Sequence, residues 1–320
     1  MAGLPPALVR PQLRAFSRWA FSPRVPWRES RKRVELGLRF PGPPRGTRVE
    51  HVELGGVSCE VLRPSRPHDD ERALIYLHGG GYTVGSARLY RPLAARLGAA
   101  LGWRVIVPDY RLGPEHPYPA ALEDALAAWT TVTDGEGADP ARVVLAGDSA
   151  GGGLGVALAL ALRDAGRPGP AALGLVCPWL DLTPDAAAGR APAPREPVLT
   201  DGLLRRFARA YLAGGADARD PLVSPLRADP RGLPPLVVQT GEDDLIRADG
   251  LRFAQRARTA GVPVIDEELE GLWHVPHLNA PLLSGTGGRV IERLAQRLLH
   301  ASGRPEPRPR DDAGQGSTAL

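Results

Sequence analysis

The chain has 320 residues, 43% of them hydrophobic and 24% charged, which suits a soluble protein able to bury a large core and excludes a disordered or fibrous one. The net charge is +4, but residues 1–50 hold eleven basic and three acidic residues, so the remaining 29 basic against 33 acidic residues exclude a general polyanion-binding face and nucleic acid as a partner. Two cysteines, Cys59 and Cys177, exclude a disulfide framework and any CxxC metal or redox spacing.

In chain order, residues 1 to about 45 come first. They carry Leu13, Phe16 and Trp19 on one helical side and Arg10, Arg14 and Arg18, at four-residue steps, on the other. A basic amphipathic helix of this kind suits either a membrane surface or its own protein. Packing on its own protein, with the arginines mostly solvated, is the expectation. Runs at 50–54 and 58–63 flank Gly55 and Gly56 and read as a β-hairpin.

Beyond the hairpin, short and mostly apolar runs at 73–77, 104–107, 142–146, 173–176, 236–240 and 264–269 alternate with helical patterns at 89–101, 120–131, 150–163, 251–260 and 289–300. That alternation predicts βαβ units around an eight-stranded, mostly parallel sheet flanked by helices. Continuous apolar runs are what strands covered on both faces require. In the last helix Val290, Ile291, Leu294, Leu298 and Leu299 fall on one stripe, which should dock on the sheet.

Residues 184–220 break the alternation. A Pro/Ala stretch leads to Thr200, a candidate N-cap, then to Leu203, Leu204, Phe207 and Tyr211 on one side of a helix. Packed against the N-terminal helix, this segment would form a small helical cap over one edge of the sheet. The expected organisation is therefore a catalytic domain from 46–184 and 221–301, a cap from 1–45 and 185–220, and a disordered tail at 302–320. The first residues lack the apolar core of a signal peptide and no apolar run reaches the ~18 residues of a membrane span, so the default location is cytoplasmic, with no integral membrane association.

The strand at 142–146 runs into Gly147, Asp148, Ser149, Ala150, Gly151 and Gly152 and then into a helix. This is GxSxG in the strand–turn–helix context of a nucleophile elbow, where glycines spare the sharp turn a Cβ collision and Ser149 stands at a helix N-terminus. A GDSGG string also surrounds the serine of trypsin-like proteases, but those are all-β, carry the histidine ahead of the serine and hold several disulfides. The strand at 73–77 ends in His78, Gly79, Gly80, Gly81 and Tyr82, a loop whose backbone can approach a ligand closely. Its amides, with that of Ala150, suit a developing oxyanion.

A base for Ser149 should lie late, in a loop after a strand. His274 and His277 both do, and His274 is the choice, His277 lying nearer the next element. An orienting carboxylate should follow the strand at 236–240, where Glu242, Asp243 and Asp244 stand together. Spacing leaves all three open.

Several strings carry a resemblance: HGGGY at 78–82, DYRLGPEHPYPA at 109–120, GDSAGG at 147–152, PWLDLT at 178–183, DPLVSPL at 220–226, TGEDDLIR at 240–247 and GLWHVPH at 271–277. In kind and order the chain resembles the bacterial hormone-sensitive-lipase family of α/β-hydrolase carboxylesterases, over about residues 61–279. Its GED and HVPH strings look like the subgroup of acetyl hydrolases and monoterpene-lactone hydrolases. Gly113, where the family often has alanine, and Pro276, in place of an aromatic, depart from the pattern.

The resemblance implies Ser149 as nucleophile, His274 as base, Asp244 as acid with Asp243 in reserve, and Gly79, Gly80 and Ala150 as oxyanion amides. Tyr82 and Tyr211 are expected to touch substrate. It implies a small ester substrate of short to medium acyl chain, an acyl-enzyme and no metal or other cofactor, and it is compatible with a homodimer. The alternatives are lactone or N-acetyl hydrolysis by the same machinery, or a small-ligand binder on a hydrolase scaffold, against which the intact His274 argues.

Overall fold

The computed structural model describes residues 3–37, 42–67, 69, 71–285 and 287–303; the tail expected at 302–320 lies outside these from residue 304 onward. Eight strands form one sheet in the order β1-β2-β4-β3-β5-β6-β7-β8. β1 (Arg48–Leu54) and β2 (Val57–Arg63) pair antiparallel through Gly55 and Gly56, whose φ angles of 59° and 82° suit the tight turn of a hairpin. β2 is antiparallel to β4 (Arg104–Pro108). β3 (Ala73–Leu77), β5 (Val143–Asp148), β6 (Leu173–Val176), β7 (Leu236–Gly241) and β8 (Val264–Leu269) continue the sheet in parallel.

Every residue of β3, β5, β6 and β7 is buried, because helices cover both faces. Alternate side chains of β3 feed separate cores. Ala73, Ile75 and Leu77 join α4 (Ala120–Thr130), α5 (Ala150–Asp164) and α7 (Arg247–Thr259), whereas Leu74 and Tyr76 join α3 (Ala87–Leu101) and α8 (Val290–Ala301). The expected stripe of α8, from Val290 to Leu299, is buried on this second face. Ser86 caps α3 by accepting the Leu89 N–H at 3.1 Å, so that helix begins two residues earlier than its apolar pattern.

The N-terminal stretch folds as two helices, α1 (Pro6–Ala20) and α2 (Trp27–Gly37), with Pro23 and Pro26 in the break between them. α6 (Asp201–Tyr211) is capped by Thr200 as expected, its Oγ1 accepting the Leu203 N–H at 3.1 Å. These helices meet. Phe207 of α6 stacks on Trp27 at 5.1 Å between centroids and meets the edge of Phe21 at 5.7 Å, and the Arg206 guanidinium lies 3.8 Å above the Trp27 ring.

The arginine side of α1 is mostly solvated, Arg14 and Arg18 being exposed, but it also makes contacts: half-buried Arg10 donates to Asp243 at 2.6 Å and to the Gly271 carbonyl at 2.5 Å, and Arg14 donates to the Pro194 carbonyl at 2.9 Å. A guanidinium supplies five donors and binds carboxylates and carbonyls well, so a row of arginines can be a docking face. No helix among the described residues is long and apolar enough to cross a membrane.

Candidate active site

Ser149 sits between the end of β5 and the first turn of α5 with φ 53° and ψ −121°, a strained conformation for a residue with a Cβ. Space explains its neighbours. A Cβ on Gly151 would lie 2.0 Å from the Leu77 carbonyl oxygen, and one on Gly147 would lie 2.5 Å from that of Gly151. Only hydrogen at both positions lets the turn press against β3.

Three elements bring the reactive groups together. The loop after β8 presents His274, whose Nε2 lies 2.9 Å from Ser149 Oγ. The loop after β7 presents Asp244, both of whose carboxylate oxygens lie 3.1 Å from His274 Nδ1. A carboxylate only accepts, so Nδ1 carries the proton and Nε2 is free to accept the Ser149 O–H. Val275, a β-branched residue, holds φ 49° directly after the histidine, and Cys177 and Tyr82, at φ 45° and 58°, share the left-handed region with Ser149. Burial disfavours a charged imidazole, but Asp244, with Glu196 and Asp148 behind it, outweighs that and holds His274 above its ordinary range.

The two aspartates offered by the sequence diverge. Asp243 turns away to Arg10 at 2.6 Å and Arg195 at 2.9 Å; burial would raise its carboxyl, yet these guanidinium groups hold it below the ordinary range. His277 is buried with its Nε2 2.8 Å from Gln239 Oε1, and burial lowers it to about 3.

The glycine loop departs from expectation at one position. The Gly79 N–H is already engaged, donating to Asp148 Oδ1 at 3.1 Å, so it is not free to meet a substrate oxygen. Among the described residues the N–H groups of Gly80, Gly81 and Ala150 have no acceptor. Asp148, the variable residue inside GxSxG, also accepts Tyr76 Oη at 2.9 Å and Tyr90 Oη at 2.8 Å. Burial lifts its carboxyl to about 6 despite these bonds. It ties the glycine loop to the elbow, a role nothing in the motif signals.

A cavity of about 110 Å³ opens beside Ser149 and His274, walled by Leu13, Phe16, Phe21, Val198, Leu203 and Phe207 among others, with Gly79, Gly80 and Gly81 on its floor. Tyr82 and Tyr211 are not in its wall, which corrects the expectation that they touch substrate. They stack on each other at 3.8 Å and are buried in the core.

Two further residues were not legible in the sequence. Glu196, in the Pro/Ala stretch, is buried against the histidine loop and accepts the His274 main-chain N–H at 2.9 Å. Cys177, Asp244 and His274 bring three potential ligand atoms within 4.8 Å of one another. Burial pushes the Cys177 thiol well up, however, and a neutral thiol is a poor metal ligand.

A serine on a strained strand–helix turn, with its histidine and acid arriving from the last two strands of a mostly parallel sheet, defines an α/β hydrolase. A family model described as the α/β hydrolase fold matches residues 74–278. An acetyl-hydrolase of Streptomyces hygroscopicus is 45% identical over 252 residues, 79% of this chain and 83% of that protein. Carboxylesterase NlhH of Mycobacterium tuberculosis is 34% identical over 272 residues, 79% of this chain and 82% of that protein. A crystal structure of an esterase from the bacterial hormone-sensitive lipase family superposes with a TM-score of 0.84 at 35% identity, covering 95% of this chain and 100% of that one. EstE5 soaked by p-nitrophenyl butyrate superposes with a TM-score of 0.84 at 34% identity, covering 94% of this chain and 99% of that one. The chain belongs to the bacterial hormone-sensitive-lipase family of α/β hydrolases and is a hydrolase enzyme.

Proposed function

We propose that the protein hydrolyses small carboxylic esters of short acyl chain through a Ser149-His274-Asp244 triad. The 2.9 Å approach of His274 Nε2 to Ser149 Oγ carries this reading. Ser149 Oγ attacks the ester carbonyl while His274 Nε2 takes its proton, and Asp244 stabilises the imidazolium. The tetrahedral oxyanion is held by the amides of Ala150, Gly80 and Gly81, the last replacing Gly79. His274 then protonates the departing alcohol. A water activated by the same histidine attacks the acyl-enzyme ester, releasing the carboxylic acid and returning the proton to Ser149.

The preference for short acyl groups is supported by the cavity, which holds about 110 Å³ and is lined by the rings of Phe16, Phe21 and Phe207 among others. The acetyl-hydrolase among the relatives agrees with it. Residues 1–45 and 185–220 act in this reading as a cap over a catalytic domain of 46–184 and 221–301. A homodimer is left as a proposal independent of the chemistry. Ester hydrolysis is favoured over the non-catalytic binder because all three groups of the relay are present and in contact.

Purified Ser149→Ala and His274→Ala should lose up to about 10⁶ in kcat on p-nitrophenyl acetate and butyrate. A fluorophosphonate should label the parent protein but not Ser149→Ala. Near-normal turnover by either variant overturns the proposal.

A further inference from the structure

We propose that Glu196, which belongs to the segment crossing above the sheet edge, is a positioning residue for the base: its carboxylate fixes the main chain of His274 and adds a second negative charge facing the imidazolium. The inference rests on the triad reading above and deepens it.

The observation is a buried acid with no cationic partner. Glu196 is 6% exposed, and no lysine or arginine among the described residues forms an ion pair with its carboxylate. Its oxygens face donors only. Oε2 accepts the His274 N–H at 2.9 Å, while Oε1 accepts the N–H groups of Val198 at 2.6 Å and Leu199 at 3.2 Å. Three main-chain donors fit an acceptor and leave an amide or a protonated acid with a mismatched hydrogen. Burying an ionised carboxylate without a counter-charge is costly, so a hydrophobic residue would fill this space more stably if shape were all that mattered.

The site shows what the charge faces. Around His274 stand Asp244 at Nδ1, Ser149 at Nε2, Asp148 behind the elbow and the neutral thiol of Cys177. Burial, with the repelling Asp244, raises the Glu196 carboxyl above its ordinary range, while His274 and the main-chain N–H groups of Val198 and His274 favour the charged form; Arg14 of α1 reaches only the main-chain oxygen of Glu196, at 3.5 Å. A neutral imidazole gains little from a second carboxylate. The imidazolium formed as Ser149 attacks gains directly, and an interaction stronger in the transition state than before it is what lowers a barrier.

The same residue is held from behind. Ser17 Oγ donates to the Val198 carbonyl at 2.6 Å, Arg10 to that of Arg195 at 2.5 Å and Arg14 to that of Pro194 at 2.9 Å. Helix α1 therefore presses the Glu196 segment onto the histidine loop, so docking of the N-terminal helices and placement of the base are one event.

The test uses the full chain with Glu196→Gln and Glu196→Asp, measuring kcat and KM on p-nitrophenyl acetate from pH 5 to 9, with Ser149→Ala in parallel. Glu196→Gln should lose up to about 10²-fold in kcat with little change in KM. The acid limb of its kcat/KM profile should move to lower pH, because an imidazolium that has lost an anion releases its proton more readily. Glu196→Asp keeps the charge at altered reach and should keep the parental acid limb with a lowered kcat. A Glu196→Gln protein with parental kcat, or with an unmoved acid limb and merely a lower melting temperature, overturns the inference. Should Glu196→Gln fail to fold, Glu196→Asp decides, and parental kcat in it overturns the inference. Activity surviving in Ser149→Ala would instead overturn the triad reading itself, so the two failures are distinguishable.

Discussion

Asp243 and Asp244 are neighbours of identical chemistry, and the difference between them is one of direction. Asp244 lies against His274 Nδ1, and Asp243 points the other way, to Arg10 and Arg195. Asp244→Asn should therefore lose about 10⁴ in kcat, by analogy with the protease relay, since an amide no longer fixes the productive tautomer. Asp243→Asn should keep most of its kcat. Steady-state rates on one ester, with circular dichroism to verify folding, check the pair; a crippled Asp243→Asn beside an active Asp244→Asn reverses the assignment. Sequence spacing could not separate these two, because both follow the same strand and only the turn of the loop decides which carboxylate meets the ring. The serine was different. GxSxG between a strand and a helix prescribes its own geometry, down to the two glycines whose hydrogens the turn requires.

Helix α6 shows how much an amphipathic pattern can say. Its stripe of Leu203, Leu204, Phe207 and Tyr211 is buried, as the periodicity requires. Periodicity identifies a buried face without saying what covers it: Phe207 ends in the wall of the reactive cavity, and Tyr211, one turn on, stacks on Tyr82 away from it. Phe207→Leu should lengthen the cavity where the ring now ends, at the cost of the Trp27 stack. The ratio of kcat/KM for p-nitrophenyl hexanoate over acetate should rise about tenfold, the lower end of what one methylene in an apolar pocket is worth. An unchanged ratio would place the acyl chain elsewhere.

At the scale of the whole molecule, helix α1 is bolted to the loops that carry Asp244 and His274. Arg10 is the bolt. It reaches Asp243, the Gly271 carbonyl and the Arg195 carbonyl, and its guanidinium lies 5.1 Å above the Trp273 ring. Arg10→Ala should cost about 1.5–3 kcal/mol, the scale of charged hydrogen bonds that are mostly shielded from water. Arg18, exposed and without a partner among the described residues, should give less than about 0.5 kcal/mol on the same change. Urea denaturation of both variants checks this, and equal losses would mean that the arginine row acts only through its overall charge.

The sequence by itself determined the layer architecture, the strand and helix alternation, the elbow serine and the late histidine, because periodicity and turn chemistry are local and each is written in a few consecutive residues. Tertiary structure alone decided which aspartate meets the histidine, that the Gly79 amide is taken by Asp148, that Tyr82 and Tyr211 stay out of the cavity wall, and that Glu196 meets the main chain of His274. Each of those depends on the direction of a side chain or an amide across tens to hundreds of residues of chain. Such directions are set by packing, not by any spacing that a linear pattern records.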